Sequence, residues 1–293
     1  MNVIRFLGKC LFNRPAAIAS AKLVIRILYS KAYWFFNPTK ALRYRFSEGG
    51  YLLIEPGRFS TLCVWPAIEH YEPDVQACLR RILGPGKVFV DCGANIGFFS
   101  ALAAGLVGEK GRVIAIEANP EESELLERNL RINGLEPGLH CALTSEPGEV
   151  DFLIPYRKNI YSSLRITKYF DKSLFNSVKV EGRRLDDVIK ERALAGVDLV
   201  KIDLEGAELE VLQSSPYLLG ELRPVIITEY GTLTWPPFGA TPENLMALAN
   251  RFRYAIRLFD TEKQKLTTIT ECTWKNNGAN LVLVPEERLK ELE

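Results

Sequence analysis

Apolar residues in this chain gather into short unbroken runs separated by amphipathic stretches. Lys87 to Val90, Gly111 to Ile116, Val197 to Ile202 and Arg223 to Thr228 lack polar alternation, the pattern of parallel strands covered on both faces. Each run exits beside an acid: Asp91, Glu117, Asp203 and Glu229. After the first, Ile96, Phe99, Ala103, Leu106 and Val107 recur at helical spacing, and after the second Asn119-Pro120 opens a helix through Leu130. His140 to Leu143 reads as a short third strand, with Glu149 to Ile154 and Ser177 to Gly182 as further extended segments. They flank a polar loop, Pro155 to Asn176, whose Arg157, Lys158, Tyr161, Ser162, Ser163 and Arg165 suit a lid. Phe252 to Phe259 and Asn280 to Val284 complete the pattern as an antiparallel edge. The alternation predicts an α/β domain.

Ahead of it, Gly49 to Trp65 reads as a strand pair, Tyr51 to Ile54 and Thr61 to Trp65, followed by a helix over about Pro73 to Leu83. Gly84-Pro85-Gly86 closes that helix and predicts a boundary between an accessory region, 1–84, and the main domain, 85–293. From Met1 to Ser47 every charged side chain is basic, interleaved with large apolar residues, which makes a basic amphipathic arm. Its charges interrupt each apolar run well short of the roughly 20 residues that a membrane span needs. The first expectation is helices packed on the main domain; the second is peripheral contact with a membrane surface through residues 1–47.

The 293 residues are 47% hydrophobic and carry a formal charge of +1, enough for a full core and no reason to expect nucleic acid. The six cysteines form no C-x-x-C pair and only two histidines occur, so a zinc site is not expected. No secretory leader is read at the start of the chain, and the expectation is a cytoplasmic location, membrane-peripheral if the arm binds lipid.

The junction at Asp91 carries the chemistry. Gly93-x-x-x-Gly97 is neither the G-x-G-x-x-G of a dinucleotide site nor a phosphate-binding P-loop. A carboxylate at the base of the turn repels a pyrophosphate and attracts an ammonium or sulfonium group. S-adenosylmethionine carries both, with a ribose diol for Glu117, which stands 20 positions beyond Gly97. Three acids, Asp203, Glu205 and Glu208, then cluster after the strand that ends at Lys201-Ile202.

Asp91-Cys-Gly-Ala-Asn-Ile-Gly97, Glu117-Ala-Asn-Pro120, Asn129-Leu-x-x-Asn133-Gly134, Ala142-Leu143 and Lys201-Ile-Asp-Leu-Glu-Gly-Ala-Glu208 together resemble the FkbM-type, S-adenosylmethionine-dependent methyltransferases. The resemblance covers about Val88 to Tyr230 and implies a class I, Rossmann-like methyltransferase fold, with a seven-stranded, mostly parallel sheet and an antiparallel last strand. It departs from the family at Ala118, where proline is usual. On this resemblance the cofactor is expected at Asp91, Gly93, Ala94, Asn95, Gly97, Glu117, Ala118, Asn119, Ala142 and Asp203. Asp203 and Glu205 are the candidate bases, with Lys201 and Glu208 supporting them. A divalent metal held by the same acids is the alternative use, less favoured, and His70 is a further candidate base at the mouth. The implied reaction is O-methylation of a glycan, lipid-linked sugar or secondary metabolite. N-methylation of a peptide side-chain amide is the alternative, and a non-catalytic binding module stands behind both.

Overall fold

The computed structural model describes residues 14–156, 162–165, 171–275 and 278–292. The chain divides into two compact units, one formed by 1–44 and 53–73 and the other by 45–52 and 74–293. It passes between them within β1 (Leu42–Arg45) and β2 (Tyr51–Ile54).

The first unit holds α1 (Arg14–Phe36), α2 (Phe59–Val64) and a 3-10 turn from Trp65 to His70. Arg26 organises it. Its guanidinium forms a two-pronged ion pair with Glu69 and lies over the rings of Tyr44 and Trp65, 5.9 and 5.5 Å from their centroids. The expected strand Thr61–Trp65 is instead the end of α2 and the start of the 3-10 turn. An apolar run of five residues does not distinguish helix from strand by periodicity. Here the Thr61 hydroxyl donates to the carbonyls of Glu55 and Arg58, 2.8 and 2.9 Å away, which winds the segment into a turn.

The second unit begins with α3 (Pro73–Ile82) and builds a central sheet around β3 (Val88–Cys92). From there α4 (Phe98–Val107), β4 (Arg112–Glu117), α5 (Pro120–Ile132) and β5 (Leu139–His140) extend the sheet on one side. On the other side, after α6 (Leu185–Glu191), stand β9 (Leu199–Ile202) and β10 (Val225–Tyr230), with α7 (Glu208–Gln213) between them. β5, β4, β3, β9 and β10 are all parallel. Phe89, Val90, Leu199, Val200, Ile202, Val225, Ile226 and Ile227 are at most 1% exposed, as strands sandwiched by helices require. Each such side chain contributes about 1.5–3 kcal/mol on burial.

Beyond β10 lie β13 (Ala279–Pro285), antiparallel to it, then β11 (Tyr254–Asp260), which follows α8 (Pro242–Phe252). The class I, mostly parallel sheet is therefore present with its antiparallel strand inserted. It has eight strands where seven were expected, because β12 (Lys265–Thr268) folds back on β11 as an added edge. His140 to Leu143 is also not one strand. β5 ends at His140, and β6 (Ala142–Leu143) joins a separate three-stranded sheet with β8 (Phe175–Arg183) and β7 (Gly148–Pro155). Cys141, 2% exposed, is the hinge between the two sheets.

A short N-terminal piece belongs to this unit too. Gly50 sits so close to α4 that a Cβ would fall 1.8 Å from the Ala101 carbonyl oxygen, and the Asn133 side chain holds both backbone groups of Tyr51 at 2.7–2.8 Å.

Candidate active site

The parallel strands β4, β3, β9 and β10 all deliver their carboxyl ends to one edge of the sheet, where an open α/β fold binds its ligands. Asp91 is the last residue but one of β3. Its side chain is fully buried: Oδ2 accepts from the Ser100 hydroxyl at 2.7 Å, while Oδ1 has no partner among the described residues. Burial holds its carboxyl above the ordinary range, and the Lys201 charge in the paired position on β9 opposes that shift.

The turn that follows is built by close approach. The N–H groups of Gly93 and Ala94 both donate to the Ile116 carbonyl at 2.9 Å. Gly93 has φ of 76°, and a Cβ there would lie 1.9 Å from the Asp203 carbonyl oxygen, so the glycine turn and the acidic loop meet backbone to backbone. Asn129 pins the turn from α5 by donating to the Ile96 carbonyl at 2.7 Å.

Glu117, at the end of β4, accepts from the N–H groups of Asn95 and Asn119 at 2.8 and 2.7 Å, one on each oxygen. Burial pushes its carboxyl up to about 7 against those two hydrogen bonds. It therefore ties the glycine turn to the start of α5. Asn119 caps α5 through Glu121 N–H, and the Ala118 carbonyl faces His140 Nε2 at 3.0 Å. Ala118 packs with Leu164 against the cluster that contains Ala142, giving this end of the crevice an apolar wall.

The acidic loop after β9 presents Asp203 and Glu205 and buries Glu208. Lys201 Nζ, 3% exposed as a residue, donates to Asp203 Oδ2 at 2.8 Å and sits 5.0 Å from the Phe99 ring centroid. Glu208 Oε1 accepts from the N–H groups of Leu204 and Gly206, while its buried Oε2 has no partner among the described residues. Burial raises its carboxyl to about 7. That geometry makes Glu208 the clasp of the loop.

Glu205 takes the left-handed conformation at φ 54°, a strain of about 1–2 kcal/mol for a residue with a Cβ. Burial first, then the charges of Asp203, Glu229 and Glu208, hold its carboxyl well above the ordinary 4.5. Carboxylate oxygens of Asp203, Glu205 and Glu229 lie within 4.8 Å of one another. Such a triad has the donor chemistry for a hard cation, although Lys201 already occupies one Asp203 oxygen.

Glu229 was visible in the sequence as an acid at a strand exit, but it joins the others only because β10 lies beside β9. Ser100 and Ser163 carried no sequence signal for their contacts. Ser163, 4% exposed, pairs by backbone with Leu153 and donates its hydroxyl to the Glu205 carbonyl at 3.0 Å. The neighbouring Ser162 oxygen accepts from Asn119 Nδ2 at 3.3 Å, and the Arg165 guanidinium reaches Glu210 and the Phe238 ring. Ser162 to Arg165 thus straps the acidic loop to the start of α5, in the part of the expected lid that is described; Arg157, Lys158 and Tyr161 lie outside the described residues. His70, exposed, belongs to the other unit.

A glycine turn under a parallel sheet, an acid at the second strand end and an acidic loop at the fourth define an S-adenosylmethionine-dependent methyltransferase with the class I fold. Residues 91–256 match the family model described as the methyltransferase FkbM domain, and the chain belongs to that family. The protein of Sordaria araneosa named methyltransferase sdnD is 34% identical over 182 residues, 53% of this chain and 68% of that one. Hexuronic acid methyltransferase AglP of Haloferax volcanii is 27% identical over 157 residues, 53% of this chain and 61% of the relative's length. Among solved structures, the fibrillarin of Aeropyrum pernix with bound S-adenosyl-L-methionine superposes with a TM-score of 0.43 at 12% identity, covering 83% of this chain and 82% of that one.

Proposed function

We propose that this methyltransferase acts on a hydroxyl oxygen of a sugar or secondary metabolite. The observation that supports this is the pairing of Asp203 with buried Lys201 beside two further carboxyls at the strand ends. The site fits S-adenosylmethionine on two counts: the surplus of carboxylates over cations at the strand ends, and the Glu117 carboxylate held in place by backbone N–H groups at the exit of β4. The cofactor supplies an already activated methyl group on a sulfonium. Glu117 would hold the ribose diol, Asn95, Ala118 and Asn119 would frame it, and Ala142 with Leu164 would face the base. Gly93, Ala94 and Gly97 shape the turn, and buried Asp91 acts on it through charge and through Ser100.

A hydroxyl must lose its proton as the methyl group arrives. Lys201 fixes Asp203 through Oδ2, leaving Oδ1 to receive that proton. Glu205, held protonated by burial and then by its acidic neighbours, donates a hydrogen bond at the acceptor, and Glu208 keeps the loop in place. The strap at Ser162 to Arg165 holds the acidic loop through the bond from Ser163 to the Glu205 carbonyl. The relative named for hexuronic acids makes uronic acid sugars the first acceptors to try.

The test is transfer of label from methyl-labelled S-adenosylmethionine to panels of hexuronic acids, lipid-linked sugars, hydroxylated metabolites and peptides, read by mass spectrometry. Asp203→Asn should lower kcat by about 10²- to 10⁴-fold while the fold survives. Labelling of peptide amides alone would replace the hydroxyl reading with N-methylation. Loss of activity on chelation with recovery in Mg²⁺ would make the acids metal ligands.

A further inference from the structure

Helix α1 is inverted relative to an ordinary surface helix. Val24, Ile25, Leu28, Tyr29, Phe35 and Phe36 are spaced three, four or seven residues apart, the spacings of one helix face, and are 47–81% exposed, while Ser30 on the opposite side is 4% exposed. At 100° per residue these six form one stripe, which at 1.5 Å per residue runs for about 18 Å. Exposed Lys22 and Lys31 fall about 90° to either side of it. The charge of the whole unit is one-sided. Its residues carry nine Lys and Arg against three Asp and Glu, leaving 28 against 33 in the other unit. Two of those three acids, Glu55 and Glu69, are paired with Arg58 and Arg26.

The geometry points to an anionic lipid surface as the occupant of this face, with α1 lying in the plane of the bilayer interface. Apolar side chains at the centre enter the acyl boundary, and the flanking lysines reach the headgroups with their stems along the apolar surface. A second copy of the chain would bring an identical face, lysine against lysine. Residues 1–13 are no better matched, since Arg5 and Lys9 are their only charges. Among the described residues no helix is long and apolar enough to cross a membrane, and α1 itself contains Arg14, Lys22, Arg26 and Lys31, so it lies on the surface. This reading rests on unit one alone and is independent of the acceptor.

The experiment is co-sedimentation of the full chain with vesicles of phosphatidylcholine, with and without 30% phosphatidylserine. Binding should require the anionic lipid and weaken as NaCl rises from 0.1 to 0.5 M. Each surface lysine is worth about fivefold, so the pair Lys22→Gln and Lys31→Gln should weaken binding about 25-fold. Leu28→Glu with Phe35→Glu should weaken it more than 100-fold, with circular dichroism and S-adenosylhomocysteine affinity unchanged in both variants. Should the glutamate variant fail to fold, the lysine variant still decides. Equal binding to neutral vesicles, no binding at all, or binding unaffected by the lysine changes overturns the proposal. So does a dimer in ultracentrifugation that Leu28→Glu dissociates, which would make the face an interface between copies.

Discussion

Gly93→Ala tests the architecture at its tightest point. The residue has φ of 76°, and an alanine Cβ would lie 1.9 Å from the Asp203 carbonyl oxygen, whereas real Cβ contacts stay beyond 3.0 Å. The glycine turn and the acidic loop must then part by about 1 Å. The left-handed conformation alone costs about 1 kcal/mol, and displacing two packed backbones adds about 1–3 kcal/mol, as overpacking does. At roughly 2–4 °C per kcal/mol for a domain of this size, Tm should fall by about 4–16 °C. A 1 Å shift of Asp203 and Glu205 from the reacting atoms should also lower turnover about 100-fold. Gly134→Ala is the control, because Gly134 has φ of 67° with nothing within 4 Å of the added Cβ. It carries the conformational cost without the clash and should lose only about 2–4 °C and no turnover. Calorimetric Tm and label transfer read the two quantities, with S-adenosylhomocysteine titration as the check that the cofactor still binds. If the two variants fall by the same few degrees and both keep full turnover, the backbone contact between turn and loop is not what positions the acids.

Glu117→Ala should weaken the cofactor by about 1.5–3 kcal/mol, the scale of charge-assisted hydrogen bonds, in isothermal titration with S-adenosylhomocysteine; an unchanged Kd would move the ribose site elsewhere. Glu205 predicts a pH dependence. Its folded carboxyl holds a proton well above the ordinary 4.5, so from that pH upward the folded state binds more protons than the unfolded one. Its contribution to stability is therefore complete below 4.5 and is lost progressively as pH rises from there to about 10. Glu117 and Glu208, raised to about 7, act in the same direction, so the Glu205→Gln difference isolates the one group. Without cofactor, Glu205→Gln should gain Tm over the parent between pH 6 and 9; parallel curves would show that Glu205 ionises normally.

The parallel strands and the acids at their exits were readable from the sequence because they depend on local pattern. A strand buried on both faces needs an unbroken apolar run, and a left-handed turn favours glycine, wherever the rest of the chain lies. The set Asp91, Glu117 and Asp203 followed from that alone, with the family motifs supplying their roles. What the residues did in three dimensions depended on partners distant in sequence. In the sequence Glu208 is one more acid of the cluster, but in the fold its oxygen clasps its own loop, and Asp91 is sealed by Ser100. Glu229 entered the site because β10 pairs with β9, and Ser163 because β7 and β8 bring the strap over Glu205. Thr61 to Trp65 became helical through one hydroxyl bonding to two carbonyls, a choice that an apolar run of five cannot encode. Hydrophobic periodicity reports which side of an element is covered, but only tertiary contact decides what covers it. In α1 the apolar stripe was present in the sequence, and only the packing of its opposite face showed that the stripe points outward.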